Sequence, residues 1–242
     1  MGVLIKISFK PIQSELDYIK EWLAVEDMLS ETGFYCNWAS IVTSFRRGQM
    51  ATISVNGKII GFVIWHFPSS HSARIDITEI QSSYRKFGYG KLLINHLFDH
   101  FRSKLIYVVD LCCAPASSQS YWRGLKFKAS PSFEGSDSIN KELYRIIVEC
   151  SKSQNVISKA PEIIELWDGE PYETINSIPN WTWRVKYNKG TKELKTPIII
   201  PGHPNWRIRW RKGELVIFDG KVWRFKKKEI YFGGYIVICG VL

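Results

Sequence analysis

Polar and apolar positions alternate from Val3 to Phe9, VLIKISF, which predicts a first strand. Ser14, with Asp17 three residues on, reads as an incomplete capping box. Leu16, Ile19, Leu23 and Met28 then recur at helical spacing as far as about Leu29. A second helix is expected over Trp38 to Arg47. ATISV and KIIGFVIWHF are β-rich runs joined by Asn56-Gly57, the residue pair that suits a type I′ hairpin turn. After a PSSHS loop, Ala73–Ile80 alternates as a further strand. A glycine-containing loop follows, then KLLINHLFDHF, a helix with an apolar face of Leu92, Leu93, Leu97 and Phe101. LIYVVDLCC is continuously apolar, as a central strand buried on both faces would be. SSQSYWRGL reads as a short helix, and KFKASPSF and NKELYRIIVEC as strands around an EGSDS turn. The order implies an α+β unit whose mixed, mostly antiparallel sheet is flanked by helices.

Beyond residue 150 no amphipathic helix is evident. IIELW, WTWRVKY, PIIIP, WRIRWR, ELVIF, KVWRFK and YIVICGVL are short strand candidates, with a turn expected at Asp219-Gly220. They suggest a small β-sheet or barrel. Six of the ten tryptophans lie here. The polar stretch 151–160, SKSQNVISKA, marks the expected boundary between domains at 1–150 and 151–242.

Composition and charge narrow the class. The 242 residues are 45% hydrophobic and 23% charged, which suits a globular protein. No apolar run approaches the roughly 20 residues of a membrane helix, and Met1–Lys10 does not resemble a signal peptide, so a soluble cytoplasmic protein is expected. Cys36, Cys112, Cys113, Cys150 and Cys239 are odd in number and lack zinc spacing, so buried reduced thiols are expected. The net charge of +10 is uneven. Residues 1–150 hold 17 Lys+Arg against 14 Asp+Glu, and residues 184–228 alone hold 14 against 3.

The chemistry-bearing segment is EIQSSYRKFGYGKLL, Glu79 to Leu93. Glycines between a strand and a helix let backbone come close to a ligand. The first N–H groups of the helix, together with its dipole, then favour phosphate oxygens. Arg85, Lys86 and Lys91 add positive charge. The spacing is neither a Walker loop nor a dinucleotide fingerprint.

With Arg85, Gly88 and Gly90 in place, the segment resembles the [RQ]-x-x-G-x-[GA] signature of the GNAT superfamily of acyl-CoA-dependent N-acyltransferases. Tyr121-Trp122-Arg123-Gly124-Leu125-Lys126-Phe127 is similar to that family's later F-[YW]-x-x-L-G-F, with Lys126 where glycine is usual. The resemblance covers about residues 1–150 and implies a GNAT-like fold there. It implies acetyl-CoA as donor substrate, its diphosphate on Arg85, Lys86, Phe87, Gly88, Tyr89, Gly90 and Lys91. Ile80, Gln81 and Ser82 would meet the pantetheine arm, and Ser118 and Tyr121 would add donor contacts. The implied reaction is direct attack of a primary amine on the thioester, without a metal.

The proton carriers stay open. Asp76 and Glu79 are the available carboxylates for the base; by strand parity they face opposite sides, so only one would meet the cleft. Either can equally be a solvated strand residue. The family's acid is a tyrosine; Trp122 aligns there and Tyr121 lies one position earlier, leaving Tyr121 or solvent as the acid. His66 and His71 flank a loop beside the expected acceptor cleft, and either a base or a surface histidine fits. His96 and His100 share a helix face but lack the Glu of H-E-x-x-H, and no metal is expected.

Two functions compete. One is an N-acetyltransferase with a basic, Trp-rich β accessory domain. The other is a GNAT-like binding or regulatory protein, weak in catalysis, that holds nucleic acid or another polyanion through residues 181–228. In WRIRWR, alternation sets Arg207, Arg209 and Arg211 on one face, opposite Trp206, Ile208 and Trp210. An acidic protein partner fits the same charge, and the acceptor and a homodimer stay open.

Overall fold

The computed structural model describes residues 2–30, 34–130, 141–154, 161–225 and 234–240. Two compact units divide these residues. The first takes in Met1–Ala129 and the strand Lys141–Ile146; the second takes in Ser130 and the chain from Val148 on.

The first unit runs β1 (Ile5–Ser8), α1 (Gln13–Ser30), α2 (Trp38–Arg46), β2 (Met50–Val55), β3 (Lys58–Ser69), β4 (Ser72–Ile80), α3 (Tyr89–Ser103), β5 (Val108–Cys113), α4 (Gln119–Gly124), β6 (Lys128–Ala129) and β7 (Lys141–Ile146). The sheet order is β1-β2-β3-β4-β5-β7-β6. All its neighbours are antiparallel except β4 and β5. This is a GNAT-like fold: a mixed, mostly antiparallel sheet flanked by helices. One face packs Ile53, Val63 and Val109 against Leu93, Leu97 and Phe101 of α3. The other packs Phe62 and Ile64 against Leu16, Ile19 and Leu23 of α1 and Ile41 of α2. Burial on both faces explains the near-continuous apolar runs of β3 and β5.

Local chemistry sets most element ends. Asn56 and Gly57 take φ of 49° and 83°, as a type I′ turn requires. The start of α1 differs from expectation: Gln13 and Ser14 lie inside the helix, and the Ile12 amide donates to the Glu15 carboxylate at 3.1 Å. Met28, expected on the apolar face of α1, is exposed. The expected PSSHS loop shrinks to a tight turn, since Ser69 pairs with Ser72 and their hydroxyls meet at 2.9 Å. The EGSDS turn lies outside the described residues. Of the cysteines only Cys113 is buried; Cys36 and Cys112 are exposed. Adjacent strand residues point oppositely, which is why Cys112 and Cys113 part company.

The second unit holds β8 (Glu162–Leu166), β9 (Trp181–Arg184), β10 (Glu193–Pro201), β11 (Arg207–Lys212), β12 (Leu215–Lys221) and β13 (Tyr235–Gly240). They form a sheet β12-β11-β8-β9 and a two-stranded sheet β10-β13. Both contribute to one core of Ile164, Leu166, Trp183, Ile208, Ile198 and Ile236. Asp219-Gly220 is no turn: both residues lie within β12, opposite Arg209 and Ile208. The hairpin turns instead between Lys212 and Leu215, with Gly213 at φ 55°. KVWRFK is not a strand where described; Val222–Arg224 form one turn of 3-10 helix.

The arginines of β11 face away from this core, but they are not a free basic surface. Arg207 grips both carboxylate oxygens of Asp219 at 2.7 and 2.6 Å, while Arg209 and Arg211 share Glu165 at 2.7 and 3.3 Å. Arg207 and Arg209 also cover the Trp167 ring at 4.6 and 5.0 Å. Exposed cations gather instead around the β9–β10 connection, at Arg184, Lys186, Lys189, Lys192 and Lys195.

Candidate functional site

A parallel pair with one short contact builds the site. β4 and β5 pair only over Ser72–Ile75 and Val108–Leu111. Beyond that point β4 continues to Ile80 without a partner on this side. The strands diverge around a cleft of about 920 Å³, lined by Ile75–Ile80 on one side and Leu111, Cys112 and Ala114 on the other. The same stretch of β4 carries a β-bulge. Ile77 pairs with Ile64 and Ile75 with Trp65, which leaves Asp76 as the extra residue. The bulge reverses the facing of everything after it: Ile75 belongs to the core under α3, Ile77 to the core under α1 and α2.

The parity expectation fails for this reason. Glu79 pairs across from Phe62, which packs toward α1, and Asp76 bonds His66 on that same face. Asp76 and Glu79 therefore both line the cleft. Period-two counting assumes that every residue is paired, and the bulge breaks that assumption.

The loop after β4 is built for close backbone approach. A 3-10 turn at Ser82–Tyr84 leads to Lys86 at φ 69° and Gly88 at φ 86°, both left-handed. α3 starts at Tyr89 with no side-chain cap, so its first-turn N–H groups have no acceptor within the helix. The two motif glycines serve different ends. Gly88 supplies the positive φ, and a Cβ there would meet nothing within 4 Å. At Gly90 a Cβ would stand 3.1 Å from the Tyr121 hydroxyl.

Nine of the expected donor-contact residues line the cleft: Ile80, Arg85, Lys86, Gly88, Tyr89, Gly90, Lys91, Ser118 and Tyr121. Gln81, Ser82 and Phe87 do not. The Gln81 amide donates to Ile60 O at 2.8 Å and the Ser82 amide to Glu26 Oε1 at 2.7 Å, while Phe87 is exposed beside Tyr89. The Arg85 guanidinium donates to Ile80 O and Glu79 Oε1, both at 2.9 Å, and stands 3.7 Å from Glu26. Burial pushes the Glu79 carboxyl up from its ordinary value, against the pull of Arg85.

Tyr121 and Trp122 both line the cleft. Trp122 is buried with its ring edge-on to Phe127. The Tyr121 hydroxyl is buried without a hydrogen-bond partner among the described residues, and burial raises its pKa. An orphaned hydroxyl beside an uncapped helix start is what a bound polar group would satisfy.

Other candidates fall elsewhere. His66 lies within β3, not in a loop, and its Nδ1 meets both oxygens of Asp76 at 2.8 and 2.9 Å. His71 is buried at the far end of β4, bonded to Leu105 O at 2.9 Å and stacked on Tyr107. His96 meets Leu92 O at 3.0 Å and His100 stacks on Phe9, so they do not converge. Among the described residues, no group of three His, Cys, Asp or Glu could hold a metal ion. Among the described residues, no helix is long and apolar enough to cross a membrane. Sequence reasoning missed one cluster: Arg74 joins Asp110 at 3.0 Å to Glu142 at 2.8 Å. Those three residues share a sheet face but stand on three different strands, so no linear spacing announces them.

Residues 16–127 match the model of the Acetyltransferase (GNAT) family. Ard1 from Thermoplasma volcanium is a similar solved structure, 20% identical with a TM-score of 0.49, the match covering 62% of this chain and 100% of that one. PaiA N-acetyltransferase from Thermoplasma acidophilum, solved in complex with coenzyme A, is 15% identical with a TM-score of 0.47, covering 60% and 99%. The ribosomal-protein-S18-alanine N-acetyltransferase from Escherichia coli is 16% identical with a TM-score of 0.47, covering 64% and 99%. No curated protein matches the chain.

Proposed function

We propose that residues 16–127, which match the model of the Acetyltransferase (GNAT) family, are an acetyltransferase domain, and that the protein transfers an acetyl group from acetyl-CoA to a primary amine by direct attack. The observation that carries this reading is the convergence of three features on one cleft: the uncapped start of α3, the orphaned Tyr121 hydroxyl and two carboxylates. Acetyl-CoA supplies the activated acyl thioester. The protein's part is to bind, orient and move protons.

The N–H groups at 86–91, with Lys86 and Lys91, hold the donor's phosphates. The outer edge of β4 beyond Ile75 offers unpaired backbone groups to the pantetheine amides. An acceptor enters as an ammonium, and the Glu79 carboxylate takes its proton. The raised proton affinity of Glu79 suits a base that must capture one near neutral pH. Asp76 holds His66 by Nδ1, a second proton-accepting pair on the same sheet face. Tyr121 keeps its proton because burial disfavours the phenolate, and its hydroxyl serves as acid at the thioester sulfur.

Calorimetry with acetyl-CoA tests the donor site. Micromolar binding is expected. Lys91→Glu should weaken it by about tenfold, on the order of 1.4 kcal/mol. Equal affinity in that variant would remove the loop from the site. A screen of polyamines, lysine peptides and aminoacyl-RNA, read by thiol release, then identifies the acceptor.

A second reading rests on the exposed cations at 184–195, which suit a polyanion such as nucleic acid. Tight RNA binding that falls steeply with salt and ignores acetyl-CoA, with no transfer to any amine, would favour it.

A further inference from the structure

Arg85 is the first defined residue of the loop motif, yet its guanidinium is turned toward the end of β4 and α1. Nε donates to Ile80 O at 2.9 Å and Nη2 to Glu79 Oε1 at 2.9 Å. The same Glu79 oxygen also accepts the Ile80 amide at 2.9 Å. Strand end, carboxylate and guanidinium thus close a ring around one residue, Ile80, whose side chain is anchored in the core under α3. Glu26 of α1 braces the ring, with Oε2 3.7 Å from Arg85 and Oε1 on the Ser82 amide. With Oε1 taken twice, Glu79 Oε2 accepts no hydrogen bond among the described residues, and Glu79 lines the cleft.

We propose that Arg85 is a positioning residue for Glu79, holding one carboxylate oxygen so that the other meets the acceptor's ammonium, rather than a side-chain ligand of the donor's phosphates. The inference rests on the acyl-transfer reading for its kinetic consequence but not for its geometry. Phosphate binding stays with the backbone N–H groups and Lys86 and Lys91, so the motif divides its labour. Its glycines shape the donor loop, and its arginine fastens the base to that loop.

The charged groups facing Glu79 are Arg85 from the loop and Glu26 from α1; β3 presents Phe62, and its own strand presents Ile77 on that face. Asp76 and His66 pair with one another. Burial and Glu26 favour the protonated carboxyl, and Arg85 opposes them. A base acts when ionised, so the rate falls as pH drops through its pKa. Removing the Arg85 cation raises that pKa and moves the acidic limb to higher pH. Removing Glu26 moves it to lower pH.

The test uses the full chain as wild type, Arg85→Gln, Arg85→Lys and Glu26→Gln. Expected for Arg85→Gln is an acidic limb of kcat/KM displaced upward by about one pH unit, hence about tenfold slower below it. Its acetyl-CoA Kd should stay within about threefold of wild type. Arg85→Lys should restore most of the limb, and Glu26→Gln should displace it downward. A Kd weakened tenfold or more with an unmoved limb would make Arg85 a phosphate ligand and overturn the proposal. Carbon-13 NMR titration of Glu79 gives the same answer without turnover. Its midpoint should rise in Arg85→Gln even if no amine is ever acetylated, and an unmoved midpoint sinks the proposal whatever the enzyme does.

Discussion

Tyr121 illustrates how much one position on a helix decides. Its hydroxyl fills the space that a methyl at Gly90 would contest, and burial keeps it protonated. Tyr121→Phe should slow acetyl transfer by about a hundredfold while the acetyl-CoA Kd stays unchanged, because only the proton donor is lost. Wild type should show no alkaline limb from this group below the ordinary phenol value of about 10. An unaltered rate in Tyr121→Phe would leave solvent as the acid. Alignment of the YWRGLKF segment puts Trp122 in that role, whereas the acid we propose is Tyr121. Neighbouring helix residues point about 100° apart, and the larger apolar ring goes to the core beside Phe127. The strip of sequence holds both rings but not the rotation of α4.

At the scale of elements, local rules read well and long-range ones do not. The Asn56-Gly57 hairpin, the α3 stripe and the buried β5 run are each fixed by residues within a few positions of one another. The bulge at Asp76 is not, because it depends on how β3 and β4 pair. Nor is the interior place of Asp219-Gly220, since a local turn preference yields to the Arg207 fork and the Trp210–Phe218 pairing. Gly61, at the middle of β3, shows the tightness of this region. A Cβ there would stand 2.3 Å from Ile80 Cδ1 and 2.7 Å from Glu79 O. Gly61→Ala should destabilise the first unit by about 1–3 kcal/mol in denaturant titration. A neutral result would show that the end of β4 yields freely.

Across the whole molecule, a bulk charge count misleads. Residues 184–228 hold 14 basic side chains, but Arg207, Arg209 and Arg211 answer to Asp219 and Glu165 inside their own sheet. Only pairing in three dimensions separates those cations from the exposed ones at 184–195. Glu165 is itself buried and serves two arginines. Glu165→Ala should cost the second unit about 1–3 kcal/mol, reduced by the partial exposure of both guanidinium groups. Tryptophan fluorescence is the natural probe, since six of ten tryptophans lie there. Unchanged melting of that signal would make the arginine row a solvent-screened ornament.

The bulge in β4 gives the strand something like a reading frame. Which residue meets the acceptor depends on a count of positions before it, as well as on the residue itself. Regular pairing over the same number of residues, with Asp76 no longer an extra one, would turn Thr78 and Ile80 toward α1 and leave Glu79 to face the core under α3. The chain could keep Glu79, its loop and all its glycines and still lose the base we propose. Length changes in this strand are therefore frameshifts in space, and variants that alter it should be judged by their parity before their chemistry.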